Sequence, residues 1–144
     1  MSEPLSRAMG IDYGAVRVGV SLSDPLRIIA QGLTTLPNDG RLLDELVRLI
    51  GEHGVGTVVI GNPLHLSGRE SESSVAAVRF ADALRARTQA ECVLVDERFT
   101  SVIAHQTLRT MGTTRKQRRD KGRVDEMASA ILLQGYLDRS SRHG

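Results

Sequence analysis

Two short apolar runs rich in β-branched residues, Met9 to Asp12 and Val16 to Leu22, open the chain and meet at the tight turn Tyr13-Gly14-Ala15. Val16, Val18 and Val20 alternate as strand residues do, so the chain begins as a hairpin. Ile28 to Thr35 predicts a third strand, stopped before Pro37. The period then changes. Leu42, Leu43, Leu46, Val47 and Ile50 recur at helical spacing, which predicts a helix over 39–52 with Asp39 as its cap. Thr57 to Ile60 is a short apolar run of the kind buried parallel strands use. A helix over 72–87, a strand over Cys92 to Val95, a helix from Thr100 or Ser101 to Gly112 and a last helix over 124–138 follow, with RSSRHG as a frayed tail. This order predicts an α/β fold: a mixed five-stranded sheet with helices on both faces. The 144 residues suit a single domain, 1–144, with a core that needs no staples.

The single cysteine, Cys92, has no partner for an internal disulfide, the first ten residues lack the apolar stretch of a signal peptide, and no run reaches membrane-spanning length. A cytoplasmic setting is the expectation. His53, His65, His105 and His143 show no paired ligand spacing, which argues against zinc.

Charge is unevenly placed. Between Thr113 and Arg123 lie Arg115, Lys116, Arg118, Arg119, Lys121 and Arg123, against Asp120 alone. That stretch carries +5 in a chain of formal charge +2, so the remainder carries −3. A concentrated basic loop on a mildly acidic body is an electrostatic footprint for a polyanion.

Carboxylates occupy three special places. Asp12 interrupts an apolar strand, where burying an unpaired charge is costly. Asp96 and Glu97 close the last strand; alternation allows only one of them onto a given face, and spacing alone does not choose. Asp125 opens the terminal helix. At about 100° per residue it falls inside the stripe Val124, Ala128, Ile131, Leu132, Gly135 and Tyr136, while Glu126 points away. Small Ala128 and Gly135 are expected to let this helix approach the sheet. Carboxylates from two strand ends and a helix, converging at one point, suit a hard divalent cation held over a phosphodiester. The segment IDYGAVRVGV also fits the phosphate loop of actin-like ATPases and sugar kinases, but those need two such domains to enclose ATP. Phe80 on a helix and Tyr136 on the core stripe leave no apparent base-stacking platform, so backbone and shape recognition is expected.

Four blocks, GIDYGAVRVGVSLSD, VVIGNPLHLSG, VDERFTSVIA and VDEMASAILLQGYLD, occur in an order that resembles the YqgF family, also called RuvX or RuvC-like resolvases. The resemblance implies an RNase H-like fold and a nuclease dependent on Mg²⁺ or Mn²⁺, with Asp12, Glu97 and Asp125 as catalytic metal ligands. It also selects Glu97 over Asp96. Arg17 matches the family's basic hairpin position, Arg98 the arginine after its glutamate, and Gly61, Pro63 and Gly68 its substrate-side loop. The implied reaction is processing of the 5′ end of the pre-16S ribosomal RNA. Alternatives are resolution of four-way DNA junctions, or a non-catalytic role in ribosome assembly. Structured RNA or branched DNA is the implied partner, and a homodimer one form of assembly. Many RNase H-like nucleases carry a fourth carboxylate one turn away on the last helix, but Lys121, Gly122, Ala128 and Ser129 occupy those positions here.

Overall fold

A computed structural model describes residues 6–62, 72–96 and 121–143. Its strands are β1 (Arg7–Tyr13), β2 (Arg17–Ser23), β3 (Ala30–Pro37), β4 (Val55–Asn62) and β5 (Glu91–Asp96). The described helices are α1 (Leu42–His53), α2 (Glu72–Arg85) and α3 (Lys121–His143). The strands form one sheet in the order β3-β2-β1-β4-β5. Strands β1, β2 and β3 pair antiparallel, while β4 and β5 run parallel to β1. The mixed five-stranded sheet of the sequence analysis is therefore present.

Each strand divides its side chains between two faces. Met9, Ile11, Val18, Val20, Val58 and Ile60 join Leu42, Leu46 and Leu49 of α1 and Phe80, Ala81 and Leu84 of α2 in the larger core. On the opposite face, Ala8 and Val59 pack with Leu133 and Leu137 of α3, and Val95 and Tyr136 lie against them. Helices thus cover both faces, as their apolar stripes require.

Glycine sets how closely α3 can lie. A Cβ at Gly10 would press on Leu133 and the Ser129 carbonyl, and one at Gly19 would collide with the Asp125 carbonyl. A register shift in the β2–β3 ladder between Val20 and Ser21 pairs Thr35 with Gly19 but Gly32 with Ser21. The extra residue turns Leu33 toward the larger core and leaves Gly32 beneath Glu126. Buried hydroxyls then lock the contact. Ser129 Oγ donates to the Gly10 carbonyl at 2.9 Å, and the Ser21 hydroxyl lies 2.9 Å from both the Ser129 carbonyl and its Oγ. Gly135 faces open space, so the close approach comes from strand glycines and not from Gly135 as expected.

Several boundaries differ from expectation for local reasons. β3 begins at Ala30, not Ile28, because Asp24 gathers the preceding loop: Oδ1 accepts the amides of Ile28 and Ile29 at 2.8 Å and Oδ2 that of Leu26 at 3.1 Å. These bonds, led by that of Ile29, hold the Asp24 carboxyl below its ordinary range. The tie is therefore intact at neutral pH and lost as pH falls through that lowered value. Asp39 Oδ1 accepts the Arg41 amide in a turn, so α1 starts at Leu42. Its other end closes at Gly54, whose φ of 63° is left-handed and whose N–H bonds Ile50 O. α3 starts at Lys121 and continues to His143, so most of the tail expected to fray is helical. The helix expected between 100 and 112 lies outside the described residues.

Two glycine substitutions separate packing from propensity. Gly19→Ala is expected to lower stability by about 1–3 kcal/mol, the usual cost of overpacking. Gly51→Ala, at an exposed position of α1 with nothing near its Cβ, is expected to raise it by about 0.5–1 kcal/mol. Urea denaturation of both variants measures the pair.

Candidate active site

Asp12 sits one residue before the end of β1 and is directly opposite Gly19 of β2. Directly opposed antiparallel residues project to the same face, with Cα atoms about 4.5–5.5 Å apart. Gly19 faces α3, because its missing Cβ would meet Asp125. Gly10, two residues before Asp12 on β1, faces α3 as well. Both relations put the Asp12 side chain on the α3 face, at the end of the sheet where Asp125 crosses. The half-buried Asp12 also makes polar contacts of its own.

Asp125 is on the sheet side of α3, as the helical wheel predicted, although the buried stripe is displaced. Ser129, Leu132, Leu133 and Leu137 are buried, whereas Val124, Ala128, Ile131, Gly135 and Tyr136 are only partly so. Glu126 does not point away: its Oε1 lies 3.5 Å from the Thr35 hydroxyl and its Cβ lies over Gly32. Arg17, at the start of β2, shares a strand face with Gly19 and donates from Nε to Asp125 Oδ2 at 2.8 Å. The side chains of Arg17 and Asp125 remain 39% and 25% exposed, so this ion pair is open to solvent and to a ligand.

Gly61 is buried near the end of β4, paired with Val95. Lys121 and Arg123 are in the first turn of α3, not in a loop as expected, so two cations of the basic stretch are in helical backbone. Glu97, Arg98, Arg115, Lys116, Arg118, Arg119, Pro63 and Gly68 lie outside the described residues. Among the described residues no group of three or more His, Cys, Asp or Glu could hold a metal ion. The structure thus brings together Asp12, Asp125 and Arg17. Ser129, one turn from Asp125, is committed to the Gly10 carbonyl, so this position serves helix seating.

Two features escaped the sequence analysis. Tyr13 and Phe80 stack, with ring centroids 4.5 Å apart and planes 21° apart, on the face opposite Asp12. Asn38 ties down the β1–β2 turn: its Nδ2 donates to Gly14 O at 2.7 Å and its backbone N–H to Val16 O at 2.9 Å. The turn-forming cluster Pro37-Asn38-Asp39-Gly40 was the available signal for the second; the first pairs distant segments and left none.

The Arg17–Asp125 pair should add little to stability because water reaches both groups. A double-mutant cycle with Arg17→Met and Asp125→Asn is expected to give about 0.2–1 kcal/mol of coupling, decreasing with added salt.

Comparison with known proteins identifies the family. The sequence profile of RuvX, described as Holliday junction resolvase, matches residues 6–139. A relative in Phocaeicola vulgatus named as a candidate pre-16S rRNA nuclease is 42% identical over 135 residues, 93% of this chain and 96% of its own. A Chloroflexus aggregans protein of the same name is 41% identical over 132 residues, 90% and 92% of the two chains. Thermus thermophilus RuvC in complex with a Holliday junction superposes with a TM-score of 0.57 at 14% identity, covering 94% and 96% of the two chains. Fowlpox virus resolvase in its complex with junction DNA gives 0.54 at 9% identity, covering 93% and 98%. These structures share the fold, RNase H-like as the sequence led us to expect. With one family profile spanning nearly its whole length, and relatives at about 40% identity along that length, the chain belongs to the RuvX (YqgF) family.

Proposed function

We propose that this protein is a divalent-cation-dependent nuclease that hydrolyses a phosphodiester in structured nucleic acid, and that its substrate is the 5′ end of pre-16S ribosomal RNA. The observation that carries the proposal is the convergence of Asp12 and Asp125 on the α3 face beside Arg17. The names of the relatives favour the RNA substrate. Four-way DNA is the second reading, favoured by the description of the family.

The donor set fits a hard cation in kind: two carboxylates on one face, one of them partly exposed, offer anionic oxygens and room for water. Asp12, Asp125 and Glu97 would hold Mg²⁺ or Mn²⁺. The resemblance to the family is what selects Glu97 over Asp96 as the third ligand. When bound, such a cation supplies Lewis-acid stabilisation of the phosphoryl oxygens and an activated water. The protein's own groups supply placement. Arg17 orients the Asp125 carboxylate and brings a positive charge to where a phosphate would lie. The cations between Arg115 and Arg123 would hold flanking phosphates, fixing register without reading sequence. The single domain proposed for 1–144 would be one nuclease unit, acting in the cytoplasm.

The test is a cleavage assay with Mg²⁺ or Mn²⁺ on precursor ribosomal RNA and on a four-way DNA junction. Asp12→Asn, Glu97→Gln and Asp125→Asn should each lower cleavage by about 10²–10³-fold, the scale of losing one electrostatic stabiliser, while binding persists. Asp96→Asn should do much less. Wild-type protein that binds RNA but never cleaves would instead favour the non-catalytic assembly role. Replacing Arg115, Lys116, Arg118 and Arg119 with alanine should weaken binding to all sequences alike. It should also flatten the salt dependence by roughly 0.7–0.9 log units per lost phosphate contact. Loss confined to one sequence would argue for base readout by that stretch.

A further inference from the structure

On the face of the sheet opposite Asp12, a cavity of about 760 Å³ opens between the end of β1, the start of α1 and the stretch of α2 from Val75 to Ala83. Both rings of the Tyr13–Phe80 stack line it. Tyr13 follows Asp12 directly, so their Cα atoms are about 3.8 Å apart and their side chains leave β1 on opposite faces. The cavity therefore lies at the same end of the sheet as the candidate active site.

Its polar groups have spare capacity. Asn38 donates Nδ2 to Gly14 O, and Asp39 accepts the Arg41 amide on Oδ1. The remaining side-chain oxygens, Asn38 Oδ1 and Asp39 Oδ2, make no hydrogen bond among the described residues. Arg79, exposed on the cavity wall, makes no ion pair or hydrogen bond among the described residues. Aromatic rings at the edge of the larger core, two neighbouring acceptors and a guanidinium without a partner among the described residues together line this cavity. A planar, donor-bearing, apolar-faced group attached to a phosphate uses all three.

We propose that this cavity receives an unpaired nucleobase of the substrate, stacked against Tyr13 and Phe80, with its edge donors on Asn38 and Asp39 and an adjoining phosphate on Arg79. Bases stack on aromatic rings whatever their identity, whereas paired acceptors favour an edge with adjacent donors, as N1–H and N2–H₂ of guanine provide. The proposal rests on the nucleic-acid reading above and adds a second recognition element to it. A nucleotide next to the scissile phosphate would be held by its base on one face of β1 while the carboxylates act on the other. The enzyme would thereby select a single-stranded nucleotide beside the cut.

The experiment measures binding of the full chain in EDTA to an RNA hairpin with a single-stranded 5′ extension containing guanine. Each unpaired position is replaced in turn by an abasic nucleotide. At one position the wild type should lose about 5- to 150-fold in affinity, the range of one base–aromatic stack. Ala76→Leu and Ala83→Leu, which fill the cavity from two turns of α2, should bind the intact RNA with that lower affinity and lose nothing further on abasic replacement. Asp12→Asn should keep the full abasic penalty. Wild-type protein that binds intact and abasic RNAs equally at every position overturns the proposal, with or without the filled variants, and leaves the nuclease reading standing. A clear abasic penalty in a protein that never cleaves overturns the nuclease reading and leaves the pocket standing.

Discussion

The seating of α3 on a glycine-lined strip of the sheet is the contact on which the rest depends. Glycine inside a strand costs backbone entropy and gives up side-chain packing. Gly10, Gly19 and Gly32 are used where α3 passes, and at Gly19 even a methyl group would strike its backbone. That closeness lets Ser129 reach the Gly10 carbonyl and Ser21 reach Ser129, so the buried hydroxyls are satisfied between elements. Leu132, Leu133 and Leu137 then bury fully behind them. The chemical consequence is positional: Asp125 lies over Gly19, and Gly19 is the partner of Asp12.

Alternation along β1 divides the labour. Ala8, Gly10 and Asp12 serve the α3 face, while Met9, Ile11 and Tyr13 serve the core under α1 and α2. The strand's last two residues thus carry a carboxylate to one side and a stacked aromatic ring to the other. A chain segment reaching this end of the sheet meets charge chemistry and apolar recognition within one residue's length. Arg17 adds positive charge on the carboxylate side, and Arg79 on the aromatic side.

The element order was legible because local patterns carry it: valine alternation in the hairpin, apolar residues at helical spacing in α1, a short apolar run in β4. Boundaries were less so, since single side chains override propensity. Asp24 folds Ile28 and Ile29 into a loop although both are good strand formers, and Asp39 spends its carboxylate on a turn instead of a cap. Asp125 was placed on its proper side for a partly mistaken reason. The wheel ran the stripe through Val124, Ala128, Ile131 and Gly135, but polar Ser129 occupies a fully buried position because its hydroxyl finds Gly10. The role of the strand glycines was illegible, because it depends on a register shift between β2 and β3 that no local pattern announces. The Tyr13–Phe80 stack was missed for the same kind of reason: it joins the end of a strand to a helix that only the tertiary fold brings near.

The central claim is that α3 and β1 together present one cation site at Asp12 and Asp125. Titrating the nucleic-acid-free protein with Mn²⁺ and following its backbone amide resonances tests this directly, because a paramagnetic ion broadens the signals nearest to it. The account predicts that the amides of Asp12, Gly19 and Asp125 broaden first and together, ahead of those in α1 and of Asp24 in its exposed loop. Broadening that begins at Asp24 or elsewhere on the surface, with Asp12 and Asp125 unaffected, would contradict it.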